Sequence, residues 1–209
     1  MRQHTSSISM YFDNVSAIRG DNRLYSGLTF EIKSGGLIWI QGPNGIGKTT
    51  LLRQAAGLSN CETGKIIWTS GNRPCRAADI ISLQSHNDAL KPMLSVAEEL
   101  TFWSELLGFQ GSVRDILSRI GLEGKHSLPT RSLSAGQKRR LAIARLLVSG
   151  KPLWIMDEPT AALDASGQTL IYDVIDEHIT SGGAAIIASH GKAQRLGHKA
   201  SLLTLEAAQ

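Results

Sequence analysis

Little in this sequence is set aside for disulfide or metal chemistry. The 209 residues include two cysteines, Cys61 and Cys75, 14 positions apart, with no CxxC pair and no histidine at ligand spacing. That excludes a disulfide framework and reads as two reduced thiols in a reducing compartment. Proline occurs 6 times and aromatic residues make up 5%, against 42% apolar and 19% charged residues, which excludes disordered, collagen-like and low-complexity chains. Long hydrophobic runs are missing as well. The longest, such as Ala184–Ala188 and Leu153–Met156, fall far short of the roughly 18 residues that span a bilayer. The N-terminal MRQHTSSISMYF has no apolar core of a signal peptide, so a cytoplasmic protein is expected. The excess of Lys and Arg over Asp and Glu, 22 to 18, permits contact with an acidic surface but demands none.

No repeat or linker interrupts the chain, and its length suits one domain with a subdomain. Ser9–Asn14, Tyr25–Ile32, Leu37–Gln41, Ile66–Trp68 and Ile80–Leu83 read as strands, with a turn at Ser34-Gly35-Gly36. A helix is predicted from Lys48 to Ala56, stopped by Gly57. The middle is helical: Val96, Leu100, Trp103 and Leu107, then Val113, Ile116, Leu117 and Ile120, keep a helical period from about Ser95 to Leu122. A further helix covers Ser134–Val148. A strand (Leu153–Met156), a helix (about Ser166–Ile179), a strand (Ala184–Ala188) and a short tail complete the pattern. Strands alternating with helices at both ends imply a parallel α/β sheet, and the helical middle reads as an insertion over roughly 90–148.

Gly42-Pro43-Asn44-Gly45-Ile46-Gly47-Lys48-Thr49 fits GxxxxGK[ST] and lies between a predicted strand and a predicted helix. Glycines let successive N–H groups turn toward one centre, and the helix N-terminus adds its dipole, so polyphosphate is held without desolvating a protein anion. Lys48 is placed to reach β- and γ-phosphates and Thr49 to ligate Mg²⁺, with Thr50 following in the first helical turn. Leu153-Trp-Ile-Met-Asp157-Glu158 supplies a buried strand whose end brings Asp157 to the metal. Glu158, on the opposite side, is placed to polarise the attacking water. Leu133-Ser134-Ala135-Gly136-Gln137 opens a second helix about 20 residues before the acidic pair. The basic run Lys138-Arg139-Arg140 behind it is expected to be a solvated face, and no aromatic interleaving marks a nucleic-acid groove.

These strings, in this order, resemble the ATP-binding cassette (ABC) ATPases, whose signature is LSGGQ, over nearly the whole chain. The resemblance implies a P-loop NTPase fold over 1–209: a RecA-like parallel core, an N-terminal antiparallel part and an inserted α-helical subdomain. It implies ATP and Mg²⁺ as ligands, with Ser134, Ala135, Gly136 and Gln137 acting on a nucleotide bound to a second copy, so that a homodimer sandwiches two ATPs. It matches Ala162-Leu163-Asp164 to the D-loop at the dimer seam and His190 to the switch histidine at the γ-phosphate. Arg19, in Ile18-Arg19-Gly20, falls where the family carries an aromatic that stacks on adenine; a guanidinium plane can also stack on a purine. Where the family has a metal-sensing glutamine, His86 stands, with Asn87 beside it; Gln84 is two residues early.

Softer marks resemble the ATP-binding subunits of cytochrome c biogenesis haem export systems. These are Ile18-Arg19-Gly20, the histidine replacing glutamine, Leu90-Lys91-Pro92 followed by Ala97-Glu98-Glu99-Leu100-Thr101-Phe102-Trp103, and Pro152-Leu153-Trp154-Ile155-Met156-Asp157-Glu158-Pro159. They imply a peripheral protein on the cytoplasmic face of a bacterial inner membrane, working with a CcmB-like permease and other cytochrome c maturation proteins and without nucleic acid. The alternatives are the ATPase of a different transporter and a soluble ABC ATPase acting on nucleic acid or ribosomes. With 19 residues after His190, no regulatory domain is expected.

Overall fold

The computed structural model describes residues 7–190, 196 and 200–206. Backbone contacts divide the chain into two compact units. The first comprises Met1–Leu83, Lys151–Glu158 and Ile175–Gln209, the second Gln84–Gly150 and Pro159–Val174. The second therefore reaches beyond the insertion expected over 90–148 and takes in the segment after the acidic pair.

The first unit opens with a hairpin, β1 (Ile8–Arg19) and β2 (Asn22–Lys33), joined at Gly20-Asp21. Both strands run further than their alternating cores suggest. After β3 (Leu37–Gln41) and α1 (Lys48–Ala55) come β4 (Thr63–Ser70) and β5 (Arg73–Pro74). Strands β2-β1-β4-β5 make an antiparallel sheet. A one-turn α2 (Ala77–Ile80) leads into β6 (Ile81–Gln84). The second unit holds α3 (Val96–Leu106), α4 (Val113–Arg119), a 3-10 turn at Thr130–Ser132 and α5 (Ala135–Ser149). The chain then forms β7 (Leu153–Asp157), α6 (Ala165–Thr180), β8 (Ala184–Ala188) and β9 (Ser201–Thr204).

The second sheet has the order β6-β7-β8-β3-β9, and its β7–β8, β8–β3 and β3–β9 ladders are parallel. Every residue of β7 and β8 is buried, as is β3 apart from Gln41, which explains why these strands read as unbroken apolar runs rather than alternating ones. Strand β9 lies at the edge and is mostly exposed, so its Ser-Leu-Leu-Thr carries no such signal; no strand was expected there. A core of Met10, Phe12, Val15, Ile40, Leu51, Leu52 and Ile155 ties the two sheets and α1 together within the first unit.

In the second unit, the helical period from Ser95 to Leu122 breaks into two helices. Gly108, at φ +66°, ends the first with Leu107 as its C-cap, and Ser112 caps the next by accepting from the Asp115 amide at 3.2 Å. Each helix is entered through a polar cap; Ser95 and Glu98 form a reciprocal capping box. Leu100, Leu117, Ile120 and Leu141 are fully buried in this unit.

Candidate functional site

The loop between β3 and α1 is shaped by its glycines. Gly42, Gly45 and Gly47 adopt φ of +151°, +80° and +111°, values that side-chain-bearing residues avoid. Two have no room for a Cβ either: at Gly42 it would lie 2.7 Å from the Leu205 carbonyl, at Gly47 3.0 Å from Leu24 Cβ. Ile46 turns into the core, while Pro43, Asn44 and Gly45 stay exposed. The Lys48 ammonium, 8% exposed, donates to the carbonyls of Gly42 at 2.7 Å and Pro43 at 3.1 Å. The loop is thus an exposed turn drawn around a fixed cation, an arrangement suited to a polyphosphate anion.

Strand β7 delivers the next two groups. The Thr49 hydroxyl donates to Asp157 Oδ2 at 2.8 Å, joining residues 108 positions apart. Two hard oxygen ligands held together beside a phosphate loop fit Mg²⁺, which takes one or two protein oxygens and completes its shell with phosphate and water. Glu158 follows at φ +50°, a left-handed conformation that costs a non-glycine residue about 1 kcal/mol or more. Its amide donates to the Ala188 carbonyl at 2.8 Å, which fixes the turn. Its carboxylate is held from the end of β8: Ser189 Oγ donates to Oε2 at 3.0 Å and the His190 amide to Oε1 at 3.0 Å. The His190 imidazole stands 3.7 Å from Oε1 and is exposed. The carboxylate therefore has two fixed donors and an open edge. Sequence reasoning missed Ser189, whose place beside Glu158 depends on the β7–β8 pairing and leaves no local mark.

In the second unit the signature residues open α5. Ser134 Oγ accepts from the Gln137 amide at 3.2 Å, and Gln137 Oε1 accepts from the Ser134 amide at 3.0 Å. Ser134 and Ala135 are exposed. A Cβ on Gly136 would lie 2.9 Å from the Ala162 carbonyl, so the signature helix and the Ala162–Asp164 loop touch within one chain. Asp164 caps α6, accepting from the Gly167 amide at 2.8 Å and Ser166 Oγ at 3.1 Å. Those two donors, the amide foremost, hold its carboxyl below the usual aspartate range.

The stretch in place of the sensing glutamine is clamped from α5. Arg139 donates to the Ser85 carbonyl at 3.1 Å and the His86 carbonyl at 2.9 Å, and pairs with Asp88 at 3.0 Å. Arg145 donates to the Asp88 and Ala89 carbonyls. His86 and Asn87 are exposed, whereas Gln84, at the end of β6, is 1% exposed and donates to the Ser85 carbonyl. The basic run is not the solvated face expected. Arg139 is 6% exposed, and Arg140 donates to the Ile120 and Gly121 carbonyls at 3.1 Å; both are spent on capping peptide groups. Arg19 is placed at the tip of the β1–β2 hairpin, lining a cavity beside the phosphate loop.

The ABC transporter family profile matches residues 25–161. The chain is 42% identical to the cytochrome c biogenesis ATP-binding export protein CcmA of Paracoccus denitrificans, over 85% of this chain and 80% of that protein. It is 42% identical to the CcmA protein of Bradyrhizobium diazoefficiens, over 84% and 88%. Among solved structures, cbiO1 of Clostridium perfringens, described as part of the ABC transporter complex cbiONQ, superposes with a TM-score of 0.71 at 28% identity, covering 87% of this chain and 78% of that one. Matched by the family profile over residues 25–161 and by relatives along most of its length, the chain belongs to the ATP-hydrolysing ABC transporter family.

Proposed function

We propose that this chain is the ATP-hydrolysing subunit of a bacterial inner-membrane ABC complex serving haem export or haem delivery in cytochrome c biogenesis. The observation that carries hydrolysis is the carboxylate of Glu158, held by Ser189 and the His190 amide at the edge that also bears Lys48, Thr49 and Asp157. The cytochrome c role is supported by the names of the relatives.

In this reading the loop amides and Lys48 receive the triphosphate, the lysine exchanging two carbonyls for phosphate oxygens. Thr49 and Asp157 would hold Mg²⁺, which when bound neutralises charge building on the β- and γ-phosphates. Glu158 accepts the proton of the attacking water, and His190 closes the site over the γ-phosphate. The exposed start of α5, Ser134 to Gln137, offers a second set of helix N-terminal amides, which a facing copy would present to the same nucleotide. ATP then holds a homodimer together and hydrolysis releases it, a population shift that a bound permease converts into work. No helix among the described residues is long and apolar enough to cross a membrane, so membrane attachment falls to a CcmB-like permease and further maturation proteins.

The reading is tested by purifying the tagged chain from detergent-solubilised native membranes and identifying its companions by mass spectrometry. A small polytopic permease with cytochrome c maturation proteins is the expected result. A different permease would discard the haem assignment and leave the engine; soluble companions alone would overturn the transporter role.

A further inference from the structure

Helix α1, which opens with Lys48 and Thr49, is eight residues long, too short to be stable alone in water. Its N-cap is Gly47, a residue with no side chain to cap the first amides. Contact with the rest of the fold must therefore place this end. A Cβ on Gly47 would lie 3.0 Å from Leu24 Cβ and 3.1 Å from Tyr25 Cε1, so the Tyr25 ring backs the residue directly before Lys48. The same side chain serves the other end of the helix. Tyr25, 3% exposed, donates its hydroxyl to Gln54 Oε1 at 2.8 Å, and Gln54, 2% exposed, sits in the last turn of α1. The Gln54 amide nitrogen donates to the Asn60 carbonyl at 3.0 Å and to the Ser16 carbonyl at 3.5 Å. With its nitrogen committed to carbonyls, the glutamine offers its oxygen to a donor. Tyr25 keeps its proton for that bond, because burial pushes the hydroxyl above the usual tyrosine range.

Resting on the reading of residues 42–49 as the phosphate loop, we propose that Tyr25 and Gln54 are positioning residues for phosphate binding, bracing α1 at both ends and so fixing where Lys48 and Thr49 stand. Both are buried, and they act through the helix rather than on the nucleotide. A slide of α1 along its axis, or a rotation about it, would displace Lys48 and Thr49 together. The ring against Gly47 and the bond to Gln54 oppose both motions, since they hold opposite ends of one short helix. Such a brace acts on the phosphates alone, and the base and ribose are indifferent to it.

The test is calorimetric titration of the purified full chain with ATP and with inorganic tripolyphosphate, alongside thermal melting. Tyr25→Phe keeps the ring and removes the donor; Gln54→Met keeps the length and removes the acceptor. Each should weaken ATP and tripolyphosphate alike by about three- to tenfold, the range of one hydrogen bond, with the number of sites per folded chain unchanged. The double variant should bind no more weakly than the weaker single one, because both changes remove the same bond. Wild-type affinities in the single variants, whatever their Tm, would leave the pair a core contact and overturn the proposal. Losses that multiply in the double variant would overturn it too. So would a loss of ATP affinity that tripolyphosphate does not share, which would set Tyr25 against the nucleoside. Tripolyphosphate binding unaffected by Lys48→Ala would instead overturn the phosphate-loop reading, so the two failures are told apart.

Discussion

Glu158 keeps an unfavourable backbone conformation because everything around it fixes that conformation: its amide on Ala188, its oxygens under Ser189 and the His190 amide. In the proposed role of general base, a carboxylate held this way would be aimed before substrate arrives, which lowers the reorganisation needed during reaction. Glu158→Gln should retain ATP affinity while phosphate release falls by about a hundredfold or more, the usual range for a lost general base. Ser189→Ala leaves the base chemically intact but removes one of its donors, so kcat should fall about tenfold with KM little changed, the size of one hydrogen bond to a charged group. A loss confined to KM would show that Ser189 holds nucleotide rather than positioning the base. At this scale the placing of residues was legible where spacing and burial coincide: residues 42–47 do lie between a strand and a helix, and Asp157 does end a buried strand. The sequence was silent on Ser189, because the contact spans 31 positions and requires knowing that β7 and β8 are neighbours.

Elements were legible to the extent that burial was uniform or strictly periodic. Strands β3, β7 and β8 announced themselves by unbroken apolar runs, and α5, expected over Ser134–Val148, runs from its cap at Ser134 to Gly150 at φ +60°. Edge strand β9 lacked both cues. The run Lys138-Arg139-Arg140 misled because charge usually marks a solvated surface, whereas Arg139 is drawn inward by the Ser85 and His86 carbonyls and Arg140 by those of Ile120 and Gly121, which no helix or strand ladder satisfies. Burial also governs Asp88, whose carboxyl is pushed up by desolvation despite Arg139 beside it. The sheet makes a sharper demand at Gly64 in β4. A Cβ there would stand 2.3 Å from the carbonyls of Asp13 and Asn14, at φ +77°. Gly64→Ala should therefore part β4 from β1, costing about 3 kcal/mol and lowering Tm by about 6–12 °C in a melting experiment. A change under a degree would mean the bulge there has slack to absorb a methyl group.

For the whole molecule, the proposed cycle requires the exposed start of α5 to meet a nucleotide held by another copy. Glu158→Gln should then elute as a dimer in ATP and as a monomer in ADP, and adding Ser134→Arg should return the ATP form to a monomer that still binds nucleotide. A dimer indifferent to Ser134→Arg would remove that helix from the interface. The phosphate loop has one further dependence, at the far end of the chain. β9 pairs with β3 through Gln41 and Thr204, Leu205 donates its amide to the Gln41 carbonyl at 2.9 Å, and the Leu205 carbonyl fills the space above Gly42. The loop is encoded within the first quarter of the chain, yet the wall behind its first glycine comes from beyond residue 200. During synthesis the loop emerges early and waits for that wall, with Asp157 and Glu158 arriving in between. A growing chain thus carries the letters of an ATP site long before it has one, and cannot spend nucleotide until nearly all of it has folded.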